Sequence, residues 1–103
     1  MKIVINRSWG GFGFTKKVAK ELGALKYEKD DGKRYYYVSE AESYRTSPKL
    51  MELIEKWGSK RVSGEYANLV IKEIPDEATD YMIQEYDGME TLYYVLNGKI
   101  CKA

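Results

Sequence analysis

Three glycines within four residues, Gly10, Gly11 and Gly13, join the apolar run Ile3-Val4-Ile5 to a stretch of helix-forming residues that opens at Thr15. No other feature constrains the fold as much. The apolar run is short and reads as a buried strand, Ile3 to Asn6. Thr15 offers the hydroxyl of a helix N-cap. Glycine adopts backbone angles that other residues resist, so the chain can leave the strand through a tight bend. Trp9, Phe12 and Phe14 are interleaved with the glycines, Arg7 precedes them, and Lys16 and Lys17 follow. One reading is a corner packed by its aromatic rings. The other is an open cradle of backbone N–H groups beside a helix N-terminus, which would attract an anion. The loop is neither a P-loop nor a dinucleotide fingerprint: no Gly-Lys-Ser/Thr follows, and Lys16 stands where the last glycine would be needed.

Beyond the loop, Val18, Ala19 and Leu22 share one face of a helix over 15–22 that stops at Gly23. Segments 25–29 and 34–38 flank Asp30-Asp31-Gly32-Lys33 as a hairpin. Ser47-Pro48 opens a second helix, in which Leu50, Leu53, Ile54 and Trp57 recur at helical spacing before Gly58. Residues 60–65 are polar and read as a loop. Strands are expected at 69–74, 81–86 and 91–96, with turns at Asp87-Gly88 and at Asn97-Gly98, the latter leading toward Ile100 and Cys101. The expected architecture is one α+β domain over 1–103, in the order β-α-β-β-α-β-β-β. It has a mainly antiparallel sheet with two helices packed on one face.

Composition narrows the chemistry. Lys plus Arg is 17 against 16 acidic residues, a balance that argues against duplex DNA as partner. Histidine is absent, which removes Ser-His-Asp and Cys-His catalysis and His-based zinc sites. The single cysteine, Cys101, forms no internal disulfide and fits a reducing compartment. No apolar stretch is long enough for a transmembrane helix, and Met1-Lys2-Ile3 begins a strand rather than a signal peptide. The expectation is a cytoplasmic, non-catalytic protein with neither metal nor cofactor.

Ten tyrosines stand against two phenylalanines. Tyr35-Tyr36-Tyr37 beside Lys33 and Arg34 reads either as half-buried sheet or as a stacking platform beside cations. Tyr81, Tyr86, Tyr93 and Tyr94 are candidates for a protein-contact surface. The acidic residues Glu73, Asp76, Glu77, Asp80, Glu85, Asp87 and Glu90 read as solvated turns and strand edges rather than a metal site. Arg45, before the Ser47 helix start, is a candidate to join Arg7 at one anion site.

The opening Met-Lys-Ile-Val-Ile-Asn, Gly10-Gly11-Phe12-Gly13, Glu73-Ile74-Pro75-Asp76 and Glu85-Tyr86-Asp87-Gly88-x-Glu90 together resemble a family of small proteins encoded in phage genomes. The resemblance runs over most of the chain. It departs at Phe14-Thr15, where that family has Leu-Ser, so a capping hydroxyl is kept while the wall of the loop changes. No catalytic residues carry over. The resemblance implies a setting in the host cytoplasm and a role against host defences. With the loop chemistry, it points to a homo-oligomeric protein that sequesters a nucleotide-derived immune signal. The expected ligand-binding set is Asn6, Arg7, Trp9, Gly10, Gly11, Phe12, Gly13, Phe14, Thr15, Lys16 and Arg45. The alternative partner is a host protein bound directly.

Overall fold

A computed structural model describes residues 1–24, 27–30, 34–37 and 41–103. Strand β1 (Lys2–Asn6) leads through the glycine loop into helix α1 (Lys16–Leu22). Strands β2 (Tyr27–Asp30) and β3 (Arg34–Tyr37) pair as an antiparallel hairpin. A 3-10 turn at Ala41–Tyr44 precedes helix α2 (Pro48–Trp57) and a single helical turn, α3 (Ser59–Val62). Strands β4 (Leu69–Glu73), β5 (Asp80–Tyr86), β6 (Met89–Leu96) and β7 (Lys99–Lys102) complete the order. Residues 25, 26, 31–33 and 38 of the expected hairpin, and the side chains of the Tyr35–Tyr37 platform, lie outside the described set.

The chain is α+β and antiparallel in every strand pairing described, as expected, but its strands form separate sheets instead of one. β1 pairs with β4, Val4 opposite Ile71 and Asn6 opposite Leu69. β5, β6 and β7 form a meander of their own. Ile74 donates the last cross-strand bond of the β1–β4 ladder, to Met1 O (2.9 Å). A turn closed by Ala78 N–H on Pro75 O (3.1 Å) then redirects the chain.

Three layers result. Val4, Leu69 and Ile71 face the helices and pack with Val18, Leu50, Leu53, Ile54 and Val62. Ile3 and Ile5 face the other way and meet Leu92 and Ile74. The central two-stranded sheet is thus covered on both faces, which is why Ile3-Val4-Ile5 is apolar at every position instead of alternating.

The helix boundaries follow local chemistry. Thr15 Oγ1 accepts from Val18 N–H (3.4 Å) and Ser47 Oγ from Leu50 N–H (3.2 Å), each satisfying an orphan donor of a first turn. Gly23 ends α1 in the left-handed region at φ 69°. Residues 60–62, expected as part of a loop over 60–65, belong instead to one helical turn, Ser59–Val62. Ser63 N–H returns to Ser59 O (2.8 Å) and Val62 is buried, and a single turn is too short to show a helical period in the sequence. Asp87-Gly88 and Asn97-Gly98 both have positive φ, the backbone of two-residue hairpins. Beyond the second, β7 adds a strand that the expected order lacked. At the start of β1 the terminal ammonium donates to Asp76 Oδ1 (2.7 Å). That hydrogen bond first, and its charge second, hold the exposed Asp76 carboxyl below its ordinary range.

Leu92 is the main contribution of the meander to the inner core, so its truncation tests the layer order. Leu92→Ala should lower stability by about 2–5 kcal/mol in urea unfolding followed by circular dichroism. A loss below about 0.5 kcal/mol, the scale of a surface change, would mean that the meander does not pack on β1.

Candidate functional site

The glycine loop is built around a buried carboxylate. Asn6 at the end of β1 is fully buried, and its amide donates to Glu90 Oε1 (2.7 Å). The Asn6 carboxamide donates to Ser8 O (2.8 Å) and to Gly88 O (2.7 Å), and accepts from Asn68 N–H (2.8 Å). It ties the glycine loop, the β5–β6 turn and the approach to β4 together, and both its amide protons are already donated.

Arg45 reaches the same carboxylate. Its Nη1 donates to Glu90 Oε1 (2.8 Å) and to Val4 O (3.1 Å), while Nη2 bridges Glu90 Oε2. The side chains are 13% and 5% exposed, so this is a bidentate pair shielded from solvent. The Arg45 carbonyl accepts from Val4 N–H (2.8 Å), so the residue also covers the open edge of β1. The ring of Phe12 lies under the guanidinium at 4.4 Å. Arg45 pairs with the Glu90 carboxylate, whereas Arg7 reaches Glu90 only at its backbone carbonyl, so the two arginines share a residue of this chain and not an anion. Arg7 Nη1 donates to the Glu90 carbonyl (2.7 Å) and approaches Thr91 Oγ1 (3.4 Å).

Glu90 therefore is not the solvated turn carboxylate expected from its neighbours. β6 begins at Met89, and Glu90 falls in the inward phase of the strand with Leu92. A charged residue in phase with a core leucine was the signal available in the sequence.

Gly10 and Gly88 serve close approach, whereas a Cβ on Gly11 or Gly13 would meet open space. A Cβ on Gly10 would overlap the Cβ and carbonyl of Tyr66, and one on Gly88 would overlap Gly11 N and Trp9 O. Gly11 has φ 89° and Gly88 has φ 87°. Gly13 O accepts from Gly64 N–H (3.0 Å) and Thr15 N–H donates to Val62 O (3.0 Å), which zips the end of the loop to the segment after α3. Phe14 is buried and meets Tyr44 edge-on at 5.9 Å.

Ten of the eleven expected site residues separate into two groups, with Lys16 apart from both. Asn6, Phe12, Phe14, Thr15 and Arg45 are engaged in the chain's own packing and hydrogen bonds. Lys16 is half-buried on the first turn of α1. Arg7, Trp9 and the loop backbone remain at the surface. Among the described residues, the amides of Gly10, Gly11, Phe12 and Gly13 meet no acceptor. Lys17 Nζ lies 4.8 Å over the Trp57 ring instead.

The packed corner displays an aromatic surface. Trp9 is 60% exposed, Tyr66 69% and Tyr86 73%. Trp9 and Tyr86 meet edge-to-face at 6.1 Å. Tyr66 and Tyr86 were not among the loop-site residues, because their approach depends on contacts distant in sequence. Of the four tyrosines expected at a protein-contact surface, Tyr81 and Tyr94 pack instead against the inner core. Tyr86 and Tyr93 fall in the outward phase of the meander. Among the described residues, no group of three His, Cys, Asp or Glu side chains is placed to hold a metal ion.

Removing the charge of Glu90 should leave Arg45 buried without its partner. Glu90→Gln is expected to cost about 3–5 kcal/mol in chemical unfolding, and Arg45→Met combined with Glu90→Leu less than that. A loss under about 1 kcal/mol for Glu90→Gln, typical of an exposed pair, would show that the pair is solvated.

No protein-family model matches the chain, and no curated protein or solved structure matches it significantly.

Proposed function

We propose that this protein is a non-catalytic binder of a nucleotide-type small molecule, with Trp9 and Tyr86 as its stacking surface. One observation carries the reading. Two aromatic rings, more exposed than buried, meet edge-to-face where the glycine loop packs on the β5–β6 turn, with Arg7 hydrogen-bonded to the start of β6. A base stacked on such rings gains dispersion and π contact, and an anchored guanidinium supplies charge for a phosphate. The open amides from Gly10 to Gly13 add neutral donors. The resemblance to phage-encoded proteins supplies the biological role: sequestration of a nucleotide-derived immune signal in the host cytoplasm.

Isothermal titration with cyclic dinucleotides and ADP-ribose-derived signals tests the binding. A bound base should quench Trp9 emission. Trp9→Ala should weaken binding about tenfold or more, since stacking is worth roughly 1–3 kcal/mol per base. Stability should stay within about 0.5 kcal/mol, because the ring lies at the surface. Absence of heat with every such ligand at a protein concentration of about 100 µM, where even weak sites register, would overturn the reading.

A second reading has its own observation. The outward face of the β5–β6–β7 meander carries exposed Met82, Tyr86 and Ile100. Exposed apolar and aromatic side chains on one sheet face suit a protein partner, either a host protein or a second copy of the chain. A stoichiometric host protein recovered by wild type and lost by Met82→Asp with Ile100→Asp would favour it. So would a dimer in light scattering that the same changes dissociate.

A further inference from the structure

The structure assigns a phosphate-binding subsite to a basic recess along the margin where the meander meets the β1–β4 sheet, lined by Arg7, Lys72, Thr91 and Lys102. The recess has a volume of about 280 Å3, and Ile5 and Leu92 are its apolar lining, with Ala103 alongside. It forms where three elements from distant parts of the sequence converge. Arg7 follows β1, Lys72 lies on β4, and Lys102 ends β7.

The charge is one-sided. Among the described residues, neither Lys72 nor Lys102 meets a carboxylate within ion-pair distance, and Arg7 bonds to a carbonyl and a hydroxyl rather than to an acid. Counting a carboxylate at Ala103, cations still outnumber anions around the recess. Like charges gathered beside apolar walls repel each other, and an entering anion relieves that repulsion. The donors are also in place beforehand. Arg7 uses Nη1 on the chain, which fixes the plane of its guanidinium and leaves Nε and Nη2 to donate. Thr91 Oγ1 accepts from Arg7, so its own proton remains for a ligand oxygen. A fixed fork, a hydroxyl and two flexible ammonium groups suit an oxyanion with several oxygens, namely a phosphate or diphosphate group.

This inference rests on the nucleotide reading for the rest of the ligand and gives its phosphate a place other than the glycine amides. Thr91 lines a second, open recess of about 360 Å3 together with Tyr86, Met89, Gln84 and Glu85, whose Oε1 accepts from Gly88 N–H (2.9 Å). One surface therefore runs from the Trp9–Tyr86 rings past Thr91 to the cations. A base stacks at one end, and the phosphates enter at the other.

Pyrophosphate added to isotopically labelled protein probes the recess alone, read by amide chemical shifts against sodium chloride of equal ionic strength. Saturable shifts are expected at Arg7, Lys72, Thr91 and Lys102. Lys72→Gln and Lys102→Gln should each weaken binding about tenfold. Both side chains reach the surface, so both variants should fold, and their unperturbed spectra establish that. Shifts no larger than those from chloride, or unchanged affinity in both variants, overturn the subsite. ADP and adenosine separate the two readings. Saturable pyrophosphate binding with no quenching of Trp9 by ADP keeps the subsite and removes the nucleotide reading. Quenching by ADP that is unaffected by either lysine change keeps the nucleotide reading and removes the subsite.

Discussion

The buried pair between Arg45 and Glu90 is the interaction on which the arrangement depends. The Glu90 carboxylate receives the Asn6 amide and both terminal nitrogens of Arg45. β1, the segment before α2 and the start of β6 thereby converge on two oxygens. Such a pair adds little net stability, because desolvation offsets most of the attraction. Its effect is positional. With Glu90 held inward, Leu92 in the same phase of β6 enters the core between the sheets, and Thr91 in the opposite phase turns outward.

The glycine loop follows from that convergence. Asn6 draws Gly88 against the loop through a hydrogen bond to its carbonyl. The two backbones then lie too close for a Cβ at Gly88, and Tyr66 leaves none of that space at Gly10. A packed corner and an exposed binding surface are thus compatible here. The inner side of the bend is filled by Phe12, Phe14 and Arg45. The outer side carries Trp9, edge-to-face with Tyr86. Anchored rings lose less conformational entropy on meeting a ligand than mobile ones do, which favours binding at the outer side.

Features set by neighbours in sequence were legible in it. Thr15, Ser47, Gly23 and Gly58 bound their helices because capping is decided within a few residues. The turns at Asp87-Gly88 and Asn97-Gly98 were equally local. The division into two layers of strands was not legible. It depends on β4 choosing β1 over β5, and the side-chain period is the same for either partner. At the site, Arg7 and Trp9 were legible as surface groups of a glycine bend. Arg45 was legible as a cation, but its partner lay 45 residues away. Glu90 misled because acidic neighbours at a turn look solvated, and only the phase it shares with Leu92 marks it as internal.

Charge balance in the composition concealed a sorting of charges in space. A net charge of +1 argues against a strongly basic protein, and that holds for the whole molecule. One carboxylate, however, is withdrawn into the interior, and it neutralises Arg45 there. Arg7 reaches the same residue through its carbonyl, which holds the guanidinium without cancelling its charge. Packing of the meander on the β1–β4 sheet then brings Lys72 and Lys102 to the same recess. The local excess of positive charge is thus a product of topology. The buried pair that closes the core also leaves Arg7 charged and oriented at the edge of β6.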